Sequence, residues 1–486
     1  MTVQGYLLID GKPVQSESGR TLPVHDPGRP AELVGEIPNA TAADVDAAVR
    51  AAHAAFLSWR AVPLAERSAL LLKAAGDLAA IVPDTAALLT REMGKILGES
   101  LVDAGGSEYL LRNIVGLADE ALADTVRSDD FGSVTLTHAP LGVVAAIVPW
   151  NWPIGLMMTK VAAAVAAGDT VVCLPSPVAS LAVSRVLAVL AAALPPGVVN
   201  VLTGLGGETG AALTTHPLVR AVSFTGGTET GKAVLGASAG TMKVPMLELG
   251  GNDPAILLDD VVVTEELARA IVGAALVTSG QVCLAIKRVY VARPLFAAVA
   301  EAVSDVLAAA VVGHGLDPAS TLGPLASGPQ LARAQAMLAE AERRGATIRR
   351  LGREGESFDR SGYYMMPQVI TGVDESFEVV SLEQFAPLLP LLPFDTEPEA
   401  VRRANDTEFG LSASVWSADS ARARKVAAQI EAGTVFVNQH GPAVVDITMP
   451  MGGWKQSGLG REQGPQTFAH YTELRQINDR HVPIPA

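Results

Sequence analysis

From Thr41 to about Leu122 apolar residues return every three or four positions: Val45, Ala48, Val49 and Ala52, then Leu70, Leu71, Ala74 and Leu78. That period keeps one face of a helix apolar, so the spacing predicts several helices over this stretch. Thr41 followed by Asp44 reads as a capping box, because the hydroxyl can satisfy an orphan backbone donor at a helix start. Residues 127–140 (RSDDFGSVTLTHAP) then turn polar and β-branched, the pattern of a hairpin or an edge strand.

A strand-then-helix rhythm follows. VVAAIV (143–148), DTVVCL (169–174), VVNVL (198–202) and RAVSF (220–224) read as strands, with Ala/Leu-rich segments such as 179–193 between them. Short apolar β-branched runs alternating with helices predict a doubly wound parallel sheet covered on both faces. Such sheets bind ligands at the carboxyl ends of their strands. After ELGGNDPAILLDD (248–260) a second α/β region begins, with helical patterns at 264–277, 294–312 and 329–344, and the tail AHYTELRQIND (469–479) reads as a late strand.

At 486 residues the chain is long enough for about three structural units. Apolar residues make up 49% and charged residues 18%, which excludes a disordered chain. The net charge of −15 repels nucleic acid and acidic lipid headgroups, so no nucleic-acid partner is expected. The longest uncharged run, 186–207, is broken by Pro195, Pro196 and Gly197, and no membrane span is expected. The N-terminal residues lack the basic-then-apolar pattern of a signal peptide. Two cysteines, Cys173 and Cys283, cannot build a disulfide framework and suit a reducing compartment, with the cytoplasm as the expected location.

A free cysteine is ordinarily a small buried hydrophobe. Cys173, inside TVVCL, fits that description. Cys283 does not: Gly280 and Gln281 signal a loop, and Lys287 and Arg288 place positive charge nearby that would favour a thiolate. In PWNWP (149–153) Asn151 lies between tryptophans and prolines directly after a strand, where a stiffly held amide could stabilise an oxyanion, or simply make a turn. Glu248 in MLELGG has apolar neighbours that would raise its pKa, as a general base needs; a salt-bridged strand end is the alternative. FTGGTETG (224–231) gives strand, glycine loop and helix start in the order that binds phosphate, and TGLGGETG (203–210) is a weaker echo of it.

In combination these motifs are specific. PWNWP at 149, FTGGTETG at 224, LELGG at 247, GQVC at 280, LEQFAP at 382 and PMGGWKQSGLGRE at 450 resemble, in order and spacing, the aldehyde dehydrogenase superfamily across roughly residues 30–475. The resemblance implies NAD(P)-dependent oxidation of an aldehyde to a carboxylic acid through a thiohemiacetal and a thioester on Cys283. It implies that the Asn151 side chain and the Cys283 N–H hold the oxyanion, that Glu248 activates the hydrolytic water, and that Lys160 and Glu462 relay protons. Val148, Trp150, Gly226, Gly227, Thr228, Gly231, Leu249, Glu383 and Phe385 match cofactor-binding positions, with NAD expected and NADP open; no metal is implied.

The resemblance further implies a Rossmann-like α/β cofactor domain (1–121 and 141–250), an α/β catalytic domain (251–456) and a small β oligomerisation element (122–140 and 457–486), hence a homodimer or homotetramer. Trp152, Met157, His440 and Trp454 fall near motifs bordering the aldehyde tunnel of relatives, which suggests an aromatic or medium apolar aldehyde; His440 in VNQHG reads rather as a hydrogen-bonded loop residue than a catalytic one. The sequence departs from the family where the adenosine ribose is expected. Leu174, Pro175, Ser176 and Pro177 stand in place of a Lys–Pro–Ser–Glu type stretch, so two ribose hydrogen bonds are lost. Milder departures are Asn252 after the double glycine and Ala386 for glycine. Two other readings remain: a CoA-acylating enzyme, which Glu248 argues against, and a catalytically silent protein on the same scaffold.

Overall fold

The computed structural model describes residues 2–481. The expected capping box is formed. Thr41 Oγ1 accepts from the Asp44 N–H while the Asp44 carboxylate accepts from the Thr41 N–H at 2.8 Å, starting helix α1, Ala42–Trp59. Helices α2 (Leu64–Ala79), α3 (Val82–Met93) and α4 (Leu97–Ala121) follow, the periodic apolar residues facing inward. Gly94, left-handed at φ 92°, ends α3 and turns the chain sharply into α4.

The strand-helix rhythm becomes an eight-stranded sheet. Its five central strands, Val199–Val201, Thr170–Pro175, Val143–Val148, Val219–Thr225 and Val244–Glu248, run parallel in that spatial order. Antiparallel strands close both edges, Leu7–Ile9 with Lys12–Val14 on one side and Gly458–Leu459 on the other. The chain enters the parallel core at Val143–Val148, builds outward one way, then returns to build the other way from Val219–Thr225. A crevice therefore opens at the carboxyl ends of these two neighbours, where the loops 149–152 and 226–227 leave the sheet. Helix α5 (Pro153–Ala167) starts from the first loop, α6 (Ser180–Ala192) covers the sheet, α7 (Ala211–Thr215) follows, and α8 (Thr228–Ala239) starts from the second loop.

Only four residues, 249–252, separate Val244–Glu248 from Asp253–Leu257, the first strand of a second sheet. That sheet has seven strands, parallel except for Thr347–Arg350 at one edge. Its neighbouring strands Ile286–Ala292 and Leu388–Phe394 begin just after Cys283 and Phe385 respectively. Parallel pairing thus brings two motifs a hundred positions apart in the chain to one rim, facing the carboxyl ends of the first sheet.

The hairpin Thr125–Asp129 and Gly132–Pro140 pairs with the tail strand Thr472–Arg480 in a separate three-stranded sheet. The tail strand begins later than the pattern suggested, because residues 465–470 form 3-10 turns first; the expected element's residues 482–486 lie outside the described ones. The strands within residues 3–38 had no legible signal: the first three are two or three residues long, and Thr21–Asp26 and Arg29–Pro38 carry prolines. Among the described residues no helix is long and apolar enough to cross a membrane.

Candidate active site

At the crevice, Trp150, Asn151, Gly226, Gly227, Leu249, Gly250, Cys283, Glu383 and Phe385 line one cavity. Cys283 is half-buried on its wall, whereas Cys173 is sealed in the strand Thr170–Pro175, where burial pushes its thiol far up. The sequence-predicted cofactor residues Trp150, Gly226, Gly227, Leu249, Glu383 and Phe385 meet here, and Thr228 lines the adjoining groove. Val148 and Gly231 stand behind the wall. Val148 is a buried strand end, and a Cβ on Gly231 would fall 2.4 Å from Leu249 Cδ2, so glycine there lets α8 pack on the loop.

Asn151 Nδ2 donates to the Gln281 carbonyl at 2.9 Å. That bond fixes which end of the amide is the donor and leaves its second N–H for the cavity. Gln281, two positions before Cys283, was legible in the sequence only as a loop signal. Its side chain accepts from the Ala326 N–H at 2.9 Å and donates to the Thr278 carbonyl at 3.0 Å. Immediately before it, Thr278, Ser279 and Gly280 are all left-handed, at φ 53°, 55° and 78°. For the two non-glycine residues this costs about 1–3 kcal/mol each, so the loop persists only because its contacts over-determine it. A side chain at Gly280 would meet the Ala386 carbonyl at 2.4 Å, and glycine is therefore required there.

The expected electrostatics of Cys283 need correction. Burial, with the Glu383 and Asp253 carboxylates nearby, pushes the thiol up to about 12, and Lys287 offsets this only in part. Lys287 is occupied: its Nζ donates to the Gly280 carbonyl at 2.9 Å and the Val282 carbonyl at 2.7 Å. Arg288 points the other way, to the carbonyls of Asn252 and Ala404 and the Tyr290 hydroxyl. Alternation along the strand sends successive side chains to opposite faces, which proximity in sequence could not reveal. These cations hold backbone, and the thiol is neutral.

Glu248 is buried, and neither carboxylate oxygen has a hydrogen-bond partner among the described residues. Burial first, and the neighbouring Glu462 second, hold its carboxyl well above the ordinary range, against the pull of Lys160. Lys160 and Glu462 form a buried ion pair of 2.7 Å. Glu383 is raised to about 7 by burial, partly relieved by Lys287 and by the Gly251 N–H it accepts at 3.1 Å. Helix Gly328–Arg343, expected from the pattern over 329–344, braces this rim through two residues the sequence did not mark: Gln330 donates to the Phe385 carbonyl at 2.7 Å and Arg333 to that of Glu383 at 3.2 Å. Trp150 meets the Phe385 ring edge-on at 5.7 Å.

Three of the residues expected at the aldehyde tunnel lie elsewhere. Met157 is packed in the core under the first sheet. The His440 side chain is buried beside Ser412 and Asp253, and Trp454 is 46% exposed on a short outer strand. Trp152 does lie beside Cys283, in a cluster with Val277, Val282, Leu284, Val445 and Met451.

A second open cavity lies between α7 and α8, lined by Ile147, Leu174, Phe224, Val234 and the glycines 206, 207 and 210. No lysine or arginine lines it among the described residues. Together the two cavities fit a dinucleotide. The glycine loop leaves open space at Gly227, Glu383 offers a carboxylate to ribose hydroxyls, and the apolar slot suits a flat base.

The aldehyde dehydrogenase family model matches residues 14–477. Among solved structures, an NAD-dependent aldehyde dehydrogenase from Sinorhizobium meliloti is 32% identical, with 100% of this chain and 96% of that one covered at TM-score 0.94. Betaine aldehyde dehydrogenase from Staphylococcus aureus, in complex with NAD+, is 31% identical over 97% and 94% of the two chains at TM-score 0.92. Indole-3-acetaldehyde dehydrogenase from P. syringae, a mutant in complex with NAD+ and IAA, is 33% identical over 98% and 97% at TM-score 0.93.

Proposed function

Because the chain belongs to the aldehyde dehydrogenase family, we propose that it oxidises an aldehyde to a carboxylic acid by covalent catalysis at Cys283. The observation that carries this reading is that one cavity wall holds the half-buried thiol and an amide whose spare N–H is aimed by a fixed partner. Cys283 Sγ attacks the aldehyde carbon. Since the thiol is neutral at rest, its proton has to leave as the bond forms, and Glu248, with unused lone pairs and a raised pKa, is the acceptor. The Asn151 amide and the Cys283 N–H stabilise the oxyanion. After oxidation to the thioester, Glu248, having passed the thiol's proton on, takes a proton from water, which attacks the acyl carbon; the C–S bond breaks, the acid leaves and the Cys283 sulfur is reprotonated. The Lys160–Glu462 pair behind Glu248 carries the proton away.

A nicotinamide dinucleotide bound across the two cavities would supply the two-electron acceptor. Trp150, Gly226, Gly227, Leu249, Glu383 and Phe385 would hold its nicotinamide half, with Thr228 beside them. NAD is favoured over NADP because a 2′-phosphate would find no cationic side chain in the slot between α7 and α8. The apolar surroundings of Cys283, from Trp152 to Met451, support an aromatic or medium apolar aldehyde as substrate.

We assign residues 1–121 and 141–250 to cofactor binding, 251–456 to catalysis, and 122–140 with the tail to assembly. The three-stranded sheet exposes Val126, Phe131, Leu474 and Ile477, which supports a homodimer or homotetramer. Two free cysteines support a reducing, cytoplasmic setting. The test is Cys283→Ala: reduction of NAD by a panel of aldehydes is expected to vanish while NAD binding, followed by equilibrium dialysis, is retained. Turnover in that variant refutes the assignment.

A further inference from the structure

The proposed chemistry needs two loops from distant parts of the chain to keep one geometry, and the elbow between α3 and α4 touches both. Lys95, in that elbow, and Asp103, two turns into α4, form an ion pair of 2.7 Å with neither side chain exposed. Neither lines the cavity. Lys95 Nζ also donates to the Asn151 carbonyl at 3.1 Å and lies 4.3 Å above the Trp152 ring. The other oxygen of Asp103 accepts from the Gly155 N–H at 2.8 Å. One buried pair therefore grips the oxyanion loop at Asn151 and Trp152 and the first turn of α5 at Gly155.

Between them on α4, Glu99 accepts from the Thr278 N–H at 2.6 Å, at the first residue of the left-handed run that leads to Cys283. Trp152 Nε1 donates to Thr278 Oγ1 at 3.0 Å and closes the circuit from α4 through the oxyanion loop to the nucleophile loop. Isolating two charges in a protein interior brings little net stability, and apolar residues of similar volume often do as well. What apolar residues cannot supply is directional bonding to the Asn151 carbonyl and the Gly155 N–H. The strained backbone at Thr278 and Ser279 likewise needs a fixed acceptor to stay where it is.

We propose that Lys95, Asp103 and Glu99 are positioning residues that lock the Asn151 amide and the Cys283 loop into one frame for oxyanion stabilisation. This rests on the acylation chemistry proposed above. Lys95→Met with Asp103→Leu removes both partners of the ion pair together. Glu99→Leu removes the acceptor for Thr278, and Glu99→Gln keeps one.

The expected result is a fall in kcat of about tenfold to a hundredfold in the paired variant and in Glu99→Leu, with the KM for NAD within about twofold, as a misplaced reacting group requires. Glu99→Gln is expected to retain kcat within about threefold. Alkylation of Cys283 by iodoacetamide, read by mass spectrometry with buried Cys173 as the internal control, is expected to quicken about threefold or more in Glu99→Leu as the loop loosens. Wild-type kcat in the paired variant and in Glu99→Leu overturns the proposal, and so does a loss in Glu99→Gln equal to that in Glu99→Leu. If the wild-type protein oxidises no aldehyde, the acylation reading fails on its own; the alkylation rate still judges the frame, and an unchanged rate in Glu99→Leu rejects it.

Discussion

The Asn151 side chain donates to the Gln281 carbonyl across 130 positions of chain, so the oxyanion donor is oriented by the same loop that carries the nucleophile. Donor and nucleophile therefore move together or not at all. Replacing Asn151 by Ala removes the donor and leaves the Cys283 N–H alone, and kcat is expected to fall about 10²–10³-fold, as for other oxyanion donors. Steady-state kinetics with a saturating aldehyde checks this; a loss confined to KM contradicts an oxyanion role.

Glu248 makes opposite predictions for activity and for stability. Its carboxyl is raised by burial and by Glu462, so deacylation should quicken as pH rises and the base form is populated. A group whose folded pKa lies above its unfolded value contributes stability that is present below the unfolded pKa and is lost as pH rises through the folded one. Glu248→Gln should thus slow thioester hydrolysis, leaving a burst of reduced cofactor, while raising the Tm relative to wild type at neutral and alkaline pH. Stopped-flow absorbance and thermal unfolding at several pH values read the two effects; a Tm below wild type throughout rejects the uncompensated burial of this carboxyl.

Leu174 lines the slot between α7 and α8 where a lysine would donate to ribose. Leu174→Lys is expected to tighten NAD by about fivefold, the worth of one net hydrogen bond. It should help NADP more, since a cation then faces the 2′-phosphate. Titration of each dinucleotide measures this, and unchanged binding of both means the adenosine half lies elsewhere.

Lys160 and Glu462 are bonded at 2.7 Å with both side chains buried. Lys160→Met strands a buried carboxylate and is expected to cost about 3–5 kcal/mol of stability. Pairing it with Glu462→Leu should recover most of that while leaving deacylation slow. Chemical denaturation separates the two variants, and equal stability of the single and double replacements contradicts the pairing.

Much of this architecture was legible in one dimension. The capping box at Thr41, the strand Val143–Val148 and the helix over 180–192 follow from local periodicity and local hydrogen bonding, which neighbouring residues settle among themselves. Cys283 was separable from Cys173 because glycine and glutamine before it announced a loop. The substrate-side residues were less legible. Met157 and His440 are near the right motifs in the chain, yet the helical and loop geometry turns them into the core.

By itself the sequence determined the order of strands and helices, the glycine turns and the identity of the thiol, amide and carboxylate, because each depends on residues a few positions apart. Tertiary structure alone decided their electrostatics and their alignment. It turned Arg288 away from the thiol, gave Lys287 two carbonyls to hold, left both oxygens of Glu248 unpartnered, and brought Lys95, Glu99 and Asp103 against loops up to 179 positions distant. Desolvation and hydrogen-bond direction depend on every group within a few ångströms, and chain folding, rather than chain order, selects those neighbours.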